Sequence, residues 1–177
     1  MISAKLAKDM LDFLWNNHHI LSEHVNLEMM PPDRLDALVA QKVLVRPFRI
    51  STSLANQGYF VSAWSLWEFY SNGLCDSLPI QLARSKKESC VEWVKRSLEA
   101  NGKEFDDHGW FAGANALRNL IAHYCGRAVG VRAERLLAQA RTVFPDLQLY
   151  QDGFVLVDHP HIAELQFRVE NFIEDIA

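Results

Sequence analysis

From residue 3 to residue 30 apolar side chains recur at spacings of three and four, Leu6, Met10, Phe13 and Leu14 among them, between a capping Ser3 and the stop Pro31-Pro32. That spacing predicts an amphipathic helix, with Asn16-Asn17-His18-His19 a candidate break inside it. Asp33 caps a second predicted helix through Leu35, Leu38, Val39 and Val43, which Pro47 kinks or ends by removing a backbone donor. From about Ser53 to Leu74, Phe60, Ala63, Trp64, Trp67, Tyr70 and Leu74 form a wide aromatic stripe. A stripe that wide must be covered by other elements, so this is the expected central helix.

Pro79 opens the next predicted helix, which runs to about Ala100 with Cys90, Val91, Trp93, Val94 and Leu98 inward and Asn101-Gly102 as its end. Asp106 or Asp107 caps a helix over about 107–125 that stops at Gly126, and Arg132 to Phe144 forms a shorter one ended by Pro145. The period then changes. Leu147-Gln148-Leu149-Tyr150 and Phe154-Val155-Leu156-Val157 flank Gln151-Asp152-Gly153, and Asp-Gly between β-prone runs signals a hairpin. Ile162 to Ile176 makes the last helix. No internal repeat or linker interrupts the chain, so residues 1–177 are expected to form one mainly α domain, a helical bundle with a small C-terminal β-hairpin at about 147–157.

Composition narrows the class. A chain of 177 residues with 49% apolar and 23% charged positions can bury roughly 70% of its unfolded surface in one core. No stretch reaches the ~18 consecutive apolar residues of a membrane span, and Met1-Ile2-Ser3-Ala4-Lys5 lacks a signal peptide's apolar run, so no membrane partner and a cytoplasmic location are expected. Cys75, Cys90 and Cys125 are odd in number and widely spaced, which argues for reduced, partly buried thiols. The net charge of −4 gives no broad nucleic-acid footprint. One local patch stands out: Arg127, Arg132, Arg135 and Arg141 against the single acid Glu134.

The helix over 107–125 carries the candidate chemistry. Phe111, Ala114, Leu117, Ile121 and Tyr124 make its buried stripe, while Ala112, Asn115, Ala116, Asn119, Ala122, His123 and Gly126 make a second, small-residue stripe suited to helix contact within the chain or between two chains. Asn119 and His123 share a face, and Arg118 lies about 100° round the helix, near enough for its long side chain to reach them.

Arg118-Asn119-Leu120-Ile121-Ala122-His123 resembles the Arg, polar residue, three others, His signature of HEPN (higher eukaryotes and prokaryotes nucleotide-binding) domains. The aromatic-acidic run Trp64-Ser65-Leu66-Trp67-Glu68-Phe69-Tyr70 is similar to the helix that precedes the motif in several such families. The resemblance implies a HEPN-like bundle of four or five helices. It also implies a homodimer through the motif helix with a composite site, and a metal-independent, cofactor-free endoribonuclease of toxin–antitoxin or anti-phage defence systems, with a neutralising protein partner. One subfamily, paired with nucleotidyltransferase antitoxins, has Tyr two positions after the His. Here Tyr124 follows His123 directly and Cys125 holds the second position, so that pairing is not implied.

The side chains suit the implied chemistry. His123 can take a proton from a 2′-hydroxyl or give one to the leaving 5′-oxygen, Arg118 can grip the phosphate with a charge-assisted fork, and Asn119 can orient His123 or donate to the phosphate. Glu68 and Tyr124 are supporting candidates, and Arg127, Arg132 and Arg135 are candidate RNA contacts. Attack by a 2′-hydroxyl restricts the substrate to RNA and leaves a 2′,3′-cyclic phosphate. The alternative is a non-catalytic HEPN-like nucleotide-binding or protein-interaction module, with Arg118 a surface ion-pair partner and His123 favoured by the helix dipole. His19 with Glu23 and His24 with Glu28 have chelating spacing without a third ligand, and His159 and His161 flank Pro160 at a turn; neither set is read as a metal site.

Overall fold

The computed structural model describes residues 3–25 and 45–176, and their side chains except at 19–25, 45–51 and 151. The helices there are α1 (Ala4–Val25), α2 (Val45–Ser77), α3 (Cys90–Ala100), α4 (His108–Tyr124), α5 (Val131–Ala140) and α6 (His159–Ile176). A two-stranded antiparallel sheet, β1 (Gln148–Leu149) and β2 (Val155–Leu156), pairs Gln148 with Leu156 and Leu149 with Val155. The fold is thus mainly α with a small hairpin, as the periodicity predicts. The helix predicted over 33–43, and the pairs His19/Glu23 and His24/Glu28, lie outside the described side chains or residues.

The aromatic stripe of α2 forms the core. Trp64, Trp67 and Phe60 are fully buried. Trp67 stacks on Phe111 of α4 with centroids 4.7 Å apart and meets Phe172 of α6 edge-on at 5.6 Å, geometries favoured by the aromatic quadrupole. Helix α1 packs against α2 and α6, burying Ala7 and Leu11, and stays helical through Asn16–His19, so the expected break is absent. His18 is buried there, its ring 5.0 Å from Tyr59.

Several boundaries differ from the predicted ones, among them the end of α5, which lies at Ala140 rather than Phe144. Pro47 falls in the first turn of α2, where the missing N–H would have no helical partner. Residues 79–89 are not helical, and α3 starts at Cys90 because Ser89 caps it, its Oγ accepting from the Glu92 N–H. The segment before it is held in irregular form by side chains. Asn101 accepts from the Ile80 N–H and donates to the Ile80 carbonyl, Trp93 donates to Leu82, and Arg96 donates to Ala83 and pairs with Glu88. Helix α6 begins at His159 with Pro160 in its first turn, and a reciprocal cap forms there: His161 N–H donates to the Asp158 carbonyl while Asp158 N–H donates to His161 Nδ1. That bond leaves the proton on Nε2, which donates to Asp146.

The hairpin is welded to α2 by buried polar groups. Asn56 donates to the Val157 carbonyl at 2.7 Å, Gln57 donates to Val155 at 2.9 Å, and Ser53 Oγ accepts from the Val157 N–H. It is tied equally to the chain leaving α4: Ala128 N–H donates to Gly153, Val155 N–H donates to Gly126, and Arg127 bridges Phe154. Gly126 is required, since a Cβ there would lie 2.7 Å from the Gln57 amide and its φ is +69°. Replacing Asn56 with Ala orphans the buried Val157 carbonyl. The expected loss is about 1–3 kcal/mol in urea unfolding, and a loss within experimental error would show that the hairpin is held elsewhere.

Candidate functional site

Helix α4 is fixed by its inner side. Phe111, Ala114, Leu117 and Leu120 are buried, while Ile121 and Tyr124 of the predicted stripe are only half-buried because they lie toward the open end of the helix. At the N-terminal end Asp107 makes no cap bond and instead accepts two hydrogen bonds from Arg168, at 2.7 and 2.9 Å. At the other end Cys125 and Gly126 take left-handed conformations and stop the helix just beyond His123.

The small-residue stripe is used inside the chain along its first half. Ala116 is buried and Ala112 partly so, Gln139 of α5 donates to the Ala112 carbonyl, and on the neighbouring face a Cβ at Gly113 would sit 2.7 Å from Val143, so α5 and the turn after it pack against this part of α4. Its second half opens into a cleft of about 460 Å³ lined by Asn119, His123, Tyr124, Arg132 and Leu136. His123 is exposed, and Arg132, in the first turn of α5, is exposed and lines the same cleft.

Arg118 takes the other side of Asn119. One guanidinium N–H donates to Asn119 Oδ1 at 3.0 Å and another points to Glu68 Oε2 on α2 at 3.4 Å, with both charged side chains about one-quarter exposed. The second separation is long for a charge-assisted bond, and Arg118 Nε is buried with no hydrogen-bond partner among the described residues. Asn119 therefore links the two parts of the arrangement: its oxygen accepts from Arg118 while the residue itself lines the cleft, and its NH₂ remains available as a donor.

Glu68, Arg118, Asn119, His123, Tyr124 and Arg132 thus form one continuous surface, with Arg118 beside the cleft rather than in its lining. Arg127 and Arg135 are exposed but do not line it. Arg141 donates to the Leu147 carbonyl at 2.9 Å, so it braces the turn into β1. Spacing alone did not point to Leu136, the apolar wall, or to Cys90, buried close enough to Glu68 and Arg118 to feel their charges. Among the described residues no cluster of three metal-ligating side chains occurs.

Two larger hollows lie elsewhere. One of about 630 Å³ is rimmed by Glu104, Asp106, Asp107 and Asp175 against a single cation, Lys103, a balance that disfavours phosphate, and one of about 680 Å³ between α1 and α2 is mostly apolar. The motif cleft is the hollow that joins a histidine to arginine and amide donors, the set an anionic substrate needs. No family model matches the chain, and neither a curated protein nor a solved structure matches it.

The site residues are placed where they can be removed without unfolding the chain. His123→Ala is expected to shift stability by no more than about 0.5 kcal/mol, and Glu68→Ala by no more than about 1 kcal/mol, since the pair is long and partly solvated. Denaturant titration checks both, and a larger loss would make these residues structural. The thiols offer a second check. Burial pushes Cys90 up to about 12 and also raises Cys75, whereas Cys125 is exposed. Only the thiolate reacts, so raised values keep both buried thiols protonated at about pH 8. One fast equivalent is expected with a disulfide reagent in the native protein and three after unfolding; more than one fast equivalent would contradict this placement.

Proposed function

We propose that the chain is a metal-independent endoribonuclease of HEPN type. The observation that carries this reading is the exposed His123 lining a cleft shared with Asn119 and Arg132, with Arg118 held one residue away. His123 acts as general acid and base on the 2′-hydroxyl and the leaving 5′-oxygen. Arg118 and the Asn119 NH₂ stabilise the phosphate as charge builds on it, and Arg132 and Arg127 draw the backbone toward the cleft. A loosely held Glu68 partner lets Arg118 exchange a carboxylate for a phosphate.

The reading includes a homodimer with a composite site. Helix α5 of the same chain packs against the first half of α4, so a second copy must approach from the His123 end of α4 or from the Glu68 edge. An RNA-cutting enzyme of this kind harms its own cell unless restrained, which fits a cytoplasmic role in toxin–antitoxin or anti-phage defence with a neutralising protein partner. A second reading, a non-catalytic HEPN-like nucleotide-binding or interaction module, is favoured by one observation: Arg118 already has a carboxylate partner.

Purified protein incubated with labelled mixed-sequence RNA in excess EDTA separates the two. Cleavage by the wild type is expected to fall by about 10²–10⁴-fold in His123→Ala and in Arg118→Ala. If the wild type leaves every RNA intact, or if His123→Ala cuts as well as wild type, the nuclease reading is lost.

A further inference from the structure

We infer that a second copy of this chain docks antiparallel along the exposed strip of α2 between Leu54 and Phe69, beside the Glu68–Arg118 pair. At 100° per residue, Leu54, Gly58, Ser62, Ser65 and Phe69 fall within about 80° of one another on α2. No charged residue occurs between Arg49 and Glu68, although a strip facing water on a surface helix ordinarily carries charge. Depletion of charge is the compositional mark of an interface core.

The strip continues onto α1 as one apolar face. Leu6, Met10, Phe13, Leu54 and Phe69 keep 47%, 42%, 66%, 52% and 58% of their surface exposed, and the 680 Å³ groove, mostly apolar with Asp9 its one charged lining residue, runs between α1 and α2 with Phe13, Phe69, Ser62 and Ser65 among its lining. At roughly 200 Å² for a large side chain, these five present on the order of 500 Å² per copy. That is near the top of the range for a monomer's largest apolar patch. Doubled across a two-fold axis, it reaches the roughly 1,000 Å² that a specific interface needs.

The face also complements itself. An axis passing midway between Ser62 and Ser65 sets Phe69 of one copy opposite Gly58 of the other, and among the described residues a Cβ at Gly58 has nothing within 4 Å. A protruding ring thus meets an open site, twice, with the small serines allowing close approach between. Antiparallel two-fold packing brings like edges together, so the Glu68–Arg118 edges of the two copies lie along the same side of the interface. The inference identifies the second copy's docking surface for the composite site proposed above, and rests on that reading only for its purpose.

Sedimentation equilibrium of the full chain without RNA tests it, using wild type, Phe69→Glu, Gly58→Leu and a control, Phe167→Glu, at an exposed ring on α6. Gly58→Leu meets no clash at its Cβ among the described residues and gains helix propensity, so its monomer is expected to fold. Wild type and Phe167→Glu are expected to be dimers, with both α2 variants weakened about a hundredfold or more. A wild type that stays monomeric at every concentration, whatever else covers the strip, or α2 variants that pair as tightly as wild type, would overturn the inference. Because mass is read without substrate, the dimer can stand where cleavage fails, and the reverse.

Discussion

The packing of Trp67 against Phe111 and Phe172 is the contact on which the other elements depend, because it joins the central helix to the motif helix and to the last helix at one point. It carries a cost. The indole N–H groups of Trp64 and Trp67 are buried with no hydrogen-bond partner among the described residues, a penalty of about 1–3 kcal/mol each. Aromatic burial of this size outweighs that, since removing such a ring from a core typically costs 3–5 kcal/mol. With α4 fixed by Phe111 on one side, its remaining faces are free for other work.

Those faces divide in sequence order. The first turns offer small residues to α5, and the last turns, stopped by Cys125 and Gly126, hold Asn119 and His123 at the open cleft. The stop itself is anchored at a distance: Gly126 fits under Gln57, whose amide also holds β2, and β2 in turn receives the chain leaving α4. The hairpin is therefore a brace for the end of the motif helix, coupled to α2 through buried side-chain hydrogen bonds rather than through apolar contact alone.

Much of this was legible in the sequence. The aromatic period gave the central helix, the Asp-Gly pair gave the hairpin, and Arg118, Asn119 and His123 sit on the helix where spacing put them. Other features were not, for physical reasons. Pro79 is a valid first-turn residue, yet Ser89-Cys90-Val91-Glu92 carries the cap that forms, and side chains such as Asn101 and Arg96 hold the residues between in a form no periodicity describes. Periodicity does not single out Ser53, Asn56 and Gln57, because their partners are backbone groups about a hundred positions away. The small-residue stripe marked a contact correctly in kind; which helix fills it is a tertiary outcome. Glu68 and Arg118, fifty residues apart, pair because α2 and α4 share the Trp67 contact.

The chemistry assigned to this surface uses only groups it presents: an exposed imidazole, two guanidinium groups and an amide, acting on a substrate that carries its own nucleophile. The most direct measurement is the chemical identity of the ends left on RNA by the wild-type protein in EDTA. A 2′,3′-cyclic phosphate paired with a 5′-hydroxyl is the predicted result, because the internal 2′-oxygen attacks the phosphorus and the 5′-oxygen leaves. A 3′-hydroxyl paired with a 5′-phosphate would mean that water is the nucleophile, and would contradict the roles given to His123 and Arg118.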